Sequence, residues 1–312
     1  MNRLLIEPSP HIRNPLSTQR IMLHVLIALL PAVAAGAILF GLRALLLVLV
    51  CAGCCAASEC IFNLIVKKPQ TVSDLSAVVT GILLGLNLPP TLPFYMAAIG
   101  SVAAIVVVKQ FFGGIGQNFA NPAITARIIL MLSFTSYMTT WVQPFWYRSG
   151  EADLISTATP LAMESGFPTY SELFLGLHGG CIGETCALAL LIGGIYLIAL
   201  RIIHPVTPVM FIGTVAVCTL LSGGDALREI LSGGLMIGAF FMATDYATTP
   251  ITIKGKLIFG IGCGLITVLI REFGTYPEGV SFSILLMNIL TPQIDKITAP
   301  KPFGVQKEAR RK

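Results

Sequence analysis

Apolar runs of about 17 to 25 residues recur along this chain from Ile21 to Ile294, separated by short polar intervals. As α-helices, runs of that length match the hydrocarbon thickness of a bilayer. Backbone groups in lipid must be paired within the spanning element, and the two-residue alternation of a β-barrel is absent. The pattern therefore predicts an all-α polytopic membrane protein. Ten spans are expected, at about 21–41, 44–64, 73–89, 92–109, 121–138, 184–200, 206–222, 228–245, 256–271 and 280–294. They divide the chain into an N-terminal arm (1–20), a first five-helix membrane repeat (21–138), a polar loop (139–183), a second five-helix repeat (184–294) and a basic tail (295–312).

Composition agrees with the pattern. Of the 312 residues, 55% are hydrophobic and 11% charged, against roughly 25% charged in soluble domains. The net charge of +5 matters through its placement. If the chain starts in the cytoplasm, fifteen of its lysines and arginines fall on the inner side and four on the outer, with Arg127 inside a span. That bias places both termini in the cytoplasm and the 139–183 loop outside. The first 20 residues lack an apolar core and a small-residue cleavage site, so they read as a basic arm and not as a signal peptide. Cys51, Cys54, Cys55 and Cys60 have a spacing that superficially suggests a metal or cluster site. They lie mid-span among Val, Ala and Gly, where small cysteines act as packing residues.

The two halves resemble each other loosely. "NLPP" at 87–90 and "ATTP" at 247–250 each precede a span, the first ending "VVKQFFGG" and the second "VLIREFG". A repeat unit with an odd number of spans must be inverted relative to its copy, as in many transporters whose discontinuous helices meet near the midplane. Breakers fall where such a fold needs them. Asn87 stands before a Pro-Pro pair. In "FFGGIGQNFANPA", glycines sit beside Gln117, Asn118 and Asn121, and Pro122 is suited to the first position of a helix. This turn is either a ligand site at a helix N-terminus or a simple capped connection.

Ionisable residues at membrane depth carry a functional hypothesis by default. Glu59, Arg127, Glu184 and Asp245 qualify. Glu184 beside Thr185, and Asp245 flanked by Thr244, Thr248 and Thr249, offer oxygen ligands for a hard cation such as Na+. Arg127 could neutralise a carboxylate or grip a phosphate or dicarbonyl. The alternative is that all four sit at helix ends and snorkel to water.

The outer loop contains "DLISTATPLA" at 153–162 and no Asn-x-Ser/Thr between 139 and 175. Its hydroxyls either satisfy a local turn or accept a transferred group. "D-L-I-S-T-A-T" resembles the flavinylation signal D-x-x-S/T-G-A-T, with Thr157 where glycine is usual. Together with "SDLSAVVTGILLGLNLPP", "FFGGIGQNFANPA", "GETCALALLIGG" and "FMATDYATTP", in that order, it makes residues 20–300 similar to the RnfD proteins of the Rnf complex. That family is in turn similar to NqrB, its counterpart in the sodium-pumping NADH:quinone oxidoreductase.

The resemblance implies a membrane electron carrier in an ion-translocating ferredoxin:NAD oxidoreductase of the bacterial inner membrane, coupled to Na+ or H+. It implies FMN joined covalently to Thr159 by a flavin transferase, with Asp153 and Ser156 in the signal, and a second, noncovalent flavin, riboflavin. Asn87, Asn118, Asn121 and Arg127 are the candidates to hold that second flavin, and Glu184 and Asp245 the candidates for the ion. The other Rnf subunits, especially the flavin-bearing RnfG, are the implied partners; no nucleic acid is expected. The chain has no Rossmann fingerprint, so NAD and ferredoxin would bind elsewhere. A competing reading is a small-solute channel, since an inverted five-plus-five fold resembles the urea transporters.

Overall fold

The computed structural model describes residues 17–148, 156–157, 160–162, 167–274 and 278–300, with backbone only at Arg148, Ser156, Thr157 and Ala162. The protein is mostly helical. The first helix, α1 (Thr18–Phe40), is capped by the Ser17 hydroxyl, which accepts from Arg20 N–H at 3.3 Å. Gly41, with φ +81°, turns the chain into α2 (Leu42–Val66). Next come α3 (Ser76–Leu86) and α4 (Phe94–Val102), the latter running on as a π-helical segment, Ala103–Gln110. Then come α5 (Pro122–Ser133) and α6 (Thr135–Met138).

Within the 139–183 loop lies α7 (Tyr170–Leu175), and beyond it α8 (Ala187–Ala199), α9 (Val206–Leu221) and α10 (Ala226–Leu231). A short α11 (Leu235–Ile237) becomes π-helical over Gly238–Met242, and α12 (Ile253–Phe273) and α13 (Val280–Thr298) complete the set.

Each of the ten expected spans contains helix, but the helices are often shorter than the hydrophobic runs. Among the described residues α1, α2 and α12 are both long and apolar enough to cross a membrane alone. The physical reason is the breakers. Asn87 ends α3 ahead of Pro89 and Pro90, and Ser232, Gly233 and Gly234 separate α10 from α11. The freed backbone is re-paired between segments: Ile182 N–H donates to Leu88 O at 3.1 Å and Gly183 N–H to Leu86 O at 2.7 Å. Irregular backbone is tolerated at depth when protein groups satisfy it in this way.

The 139–183 loop contains a feature that the helical pattern could not show. Strand β1 (Trp141–Val142) pairs antiparallel with β2 (Ser156–Thr157), Trp141 opposite Thr157 and Val142 opposite Ser156. Both β1 side chains are buried, so the start of the "STAT" stretch is fastened to the helical body. Of the four cysteines of α2, Cys51 and Cys55 are buried as packing residues and Cys54 and Cys60 are half-buried; all eight cysteines are free.

The close approach of α2 and α3 sets a test. A Cβ on Gly81 of α3 would come within 2.5 Å of Ala52 Cα and 2.7 Å of Cys51 O in α2, whereas one on Gly53 would meet nothing within 4 Å. Gly81→Ala is expected to force these helices apart and cost about 1–3 kcal/mol, lowering the thermal midpoint in detergent. Gly53→Ala, on the same helix pair, is expected to leave the midpoint unchanged or raise it.

Candidate functional site

The site is built around Arg127. Asn121 caps α5, its Oδ1 accepting from Ala123 N–H at 3.0 Å and Ile124 N–H at 3.4 Å, and Pro122 takes the first helical position as the sequence predicts. This start fixes the register that turns Arg127 inward, where it is 4% exposed. Its Nη1 lies 2.6 Å from Glu184 Oε1 and donates to Asn87 Oδ1 at 2.9 Å and Ser281 Oγ at 3.2 Å. Its Nη2 binds Glu278 Oε2 and reaches Cys181 Sγ at 3.5 Å. One fork-shaped guanidinium thus ties α3, α5, α13 and the loop before α8 together. Gly234 gives the carboxylate room: a Cβ there would stand 2.8 Å from Glu184 Oε1.

A second region adjoins the first. A cavity of about 390 Å³ opens between α1, α3, α8 and the Gly238–Met242 π segment, a size within the roughly 300–1,000 Å³ of small-molecule sites. Asn118, Asn121, Asp245, Phe240 and Phe241 are among its walls, and Ser76 and Lys109 stand at its edge. Gly113, Gly114 and Gly116 all have positive φ (123°, 106° and 82°), which lets the chain double back to present Gly116 and Asn118 to the cavity. Asp245 accepts from the Thr248 hydroxyl at 3.2 Å.

Met242 divides the two regions. Asn121 Nδ2 donates to its carbonyl at 3.3 Å, and Asn87 Nδ2, which also donates to Leu83 O at 2.7 Å, lies 3.9 Å from its sulfur.

The residues singled out in the sequence therefore fall into two groups. Asn87, Arg127 and Glu184 meet in the buried cluster, while Asn118, Asn121 and Asp245 line the cavity. Asp153 and Thr159 lie outside the described residues, and of Ser156 the backbone alone is described, paired with Val142. Two residues beyond Thr159, Leu161 lies against Gly233, with its Cδ1 2.8 Å from where a Cβ would be.

Arg127, Glu59 and Glu184 do not snorkel; all are at most 4% exposed. Glu278 carries no signal in the sequence, because it precedes α13 by two residues and so falls outside any apolar run. Lys109 reads in sequence as an inner-side loop charge, yet it is 3% exposed. Its Nζ lies 2.9 Å from Glu59 Oε2 and 2.7 Å from Ser76 Oγ, with Gln110 and Thr71 completing the carboxylate's partners at 3.0 and 2.6 Å. The wide π turn carries Lys109 and Gln110 to that carboxylate together.

Removing one partner of a buried ion pair leaves a bare charge and costs about 3–5 kcal/mol. Arg127→Ala is expected to destabilise the protein by that order. Adding Glu278→Gln to Arg127→Ala should recover part of the loss, because one of the two stranded carboxylates is removed. A thermal-stability double-mutant cycle in detergent checks this: strictly additive losses would show that the two side chains are not coupled.

Comparison with known proteins follows the same lines. The NQR2, RnfD, RnfE family matches residues 5–304. The chain is 51% identical to the protein designated D in the Na(+)-translocating ferredoxin:NAD(+) oxidoreductase complex of Acetobacterium woodii, over 97% of this chain and 96% of that one. It is 43% identical to the protein of the same designation in the proton-translocating ferredoxin:NAD(+) oxidoreductase complex of Clostridium ljungdahlii, over 98% of each. It is 40% identical to the corresponding protein of the ion-translocating oxidoreductase complex of Stutzerimonas stutzeri, over 92% of each. With the multi-helical membrane fold and near end-to-end matches at this identity, the chain belongs to the NQR2, RnfD, RnfE family.

Proposed function

We propose that this chain is the membrane-embedded electron-transfer subunit of an ion-translocating ferredoxin:NAD oxidoreductase complex, carrying FMN on Thr159 and a second, noncovalent flavin in the cavity beside Met242. Family membership makes it one component of an ion-translocating oxidoreductase, active together with the other subunits of that complex. The observation that carries the flavin reading is the "DLISTAT" stretch, held to the helical body on one side by the β1–β2 pair and on the other by Leu161 against Gly233. Attachment would join Thr159 Oγ to the flavin phosphorus: the hydroxyl loses its proton, the phosphoanhydride of FAD breaks and AMP leaves. The attached group cannot then diffuse away on the outer side, which keeps its local concentration high.

The cavity suits an isoalloxazine. It offers the Phe240 and Phe241 rings for the flat faces, and the Asn118 and Asn121 amides for the polar edge or ribityl hydroxyls. A bound flavin supplies the electron-transfer chemistry; the chain supplies position, dryness and charge. Asn121 is held by its bonds to Met242 O and the start of α5, so its amide is preoriented.

Arg127 lies across Met242 in the neighbouring cluster, where its guanidinium fixes Asn87 and the two glutamates. Ion coupling is assigned to Asp245, whose carboxylate lines the cavity near Thr248, and to Glu184. The relatives' names include both a sodium and a proton carrier, so either ion is admissible.

Two inverted five-helix repeats, resembling the urea transporters, account for the helix order: α1 to α5, then α8, α9, α11, α12 and α13. In support, Lys109 Nζ binds Ser76 at the start of α3, and Arg271 Nη2 binds Ser232 O just ahead of α11, at 2.7 and 3.3 Å. With the basic bias of its loops, this gives a protein of the inner membrane with both termini cytoplasmic and the flavin loop outside. The flavin transferase and RnfG, which bears the next flavin, are the partners for that loop.

In-gel flavin fluorescence of the denatured protein, coexpressed with an active flavin transferase, tests the attachment. Wild type and Thr157→Ala are expected to fluoresce and Thr159→Ala to be dark; a dark wild-type band would sink the redox assignment, and a dark Thr157→Ala would shift the register. Asp245→Ala is expected to abolish ion uptake by vesicles containing the complex, with sodium and proton uptake followed separately. Unchanged uptake of both ions would remove Asp245 from the path.

A further inference from the structure

Among the described residues, six buried polar atoms without a hydrogen-bond partner gather at one place. Both Glu184 carboxylate oxygens, Glu278 Oε1, the Thr185 and Ser232 hydroxyls and His178 Nε2 are buried and lack such a partner. Glu184 Oε1 is held by Arg127 as an ion pair at 2.6 Å, which leaves the other five atoms stranded. These groups come from three segments that converge. A Cβ on Gly180 would contact Thr185 at 3.1 Å and His178 at 3.9 Å. Gly234, two residues from Ser232, faces Glu184, and Gly233 faces Glu278 at 3.9 Å. Oxygens of Glu184 and Glu278 and the Cys181 sulfur all lie within 4.8 Å of one another.

Stranding each such group costs about 1–3 kcal/mol, and native proteins satisfy them with water or an ion. Charge points the same way. Arg127 gives one positive charge to two buried carboxylates, and Arg271, whose Nη2 would stand 3.3 Å from a Cβ on Gly233, is already paired with Glu229 at 2.6 Å, so the fully ionised cluster carries a net charge of −1 away from solvent. A monovalent cation balances it; a divalent one would reverse it.

We propose that Glu184 and Glu278 bind one small monovalent cation between them, a proton or a sodium ion, with Thr185, Ser232 and His178 completing its surroundings through water. Arg127 positions the two carboxylates and keeps the site from holding a second cation. Located beside Gly233 and hence beside Leu161, the site adjoins the loop that bears the attachment motif. Its occupant can respond electrostatically to a charge arriving there. The proposal deepens the ion-coupling role given to Glu184, but the occupancy exists at rest and needs neither turnover nor a bound flavin.

The test is infrared difference spectroscopy on the resting, oxidised membrane complex in sodium-free buffer. The wild type is expected to show a protonated-carboxyl band of one acid group per chain, absent from both Glu184→Gln and Glu278→Gln. If sodium chloride, but not choline chloride, removes that band and releases one proton per chain, sodium competes for the site; if the band persists, the occupant is the proton alone.

The proposal is overturned if neither variant removes an acid band and both bind radioactive sodium as the wild type does. Should a glutamine variant fail to assemble, Glu278→Asp keeps the charge and is expected to shift the band, and an unshifted band counts against the site. A dark flavin gel would leave this measurement intact, so the two readings fail separately.

Discussion

The Arg127 guanidinium is the constraint around which the midsection of this protein is organised. A cation at membrane depth is tolerated when it is paired, and here its partners come from α3, α13 and the loop before α8. Of these, α3 is short and runs into irregular backbone, and the loop before α8 is irregular throughout, so neither can hold position by helix length alone. Satisfying one fork of five N–H donors obliges Asn87, Glu184, Glu278 and Ser281 to stand at fixed places. Charge pairing thereby does for the broken helices what lipid thickness does for α1, α2 and α12.

That arrangement also explains why the charged cluster and the cavity can be neighbours without merging. The Gly238–Met242 segment lies between them, with its backbone held from one side by Asn121 and the Met242 sulfur facing Asn87 on the other. A methionine is apolar and adaptable enough to close such a wall. The cavity side can therefore combine aromatic walls with asparagine amides and the Asp245 carboxylate, while the buried ion pairs of Arg127 stay on the other side.

Much of this is legible in the chain. Asn121–Pro122 announces a capped helix start, Asn87 with its prolines announces a break, and Arg127 and Glu184 stand out because charge is rare within apolar runs. The illegible parts have a common cause: their partners are far apart in sequence. Glu278 is 151 residues from Arg127, and Glu59 is 50 residues from Lys109. No local spacing encodes such pairs, so Lys109 looks like one more inner-side lysine. The β1–β2 pair is hidden for a related reason, since two residues are too few to show an alternating pattern. Hydropathy overstates helix length because apolar character continues across turns that proline, glycine and asparagine impose.

The π-helical stretch Ala103–Gln110 has a consequence for how this family can vary. A π turn is an α-helix with one residue more than the winding needs. In an α-helix each residue advances the side chains by about 100°. Loss of a single residue within Ala103–Val108 would let the helix rewind to the ordinary pitch and still leave Lys109 and Gln110 facing Glu59, because the wide turn holds the surplus that the deletion removes. An inserted residue has no such slack: it would swing both side chains by about 100° and take two partners from the buried carboxylate at once. The rotational register of this helix can thus be kept with one residue fewer but not with one residue more.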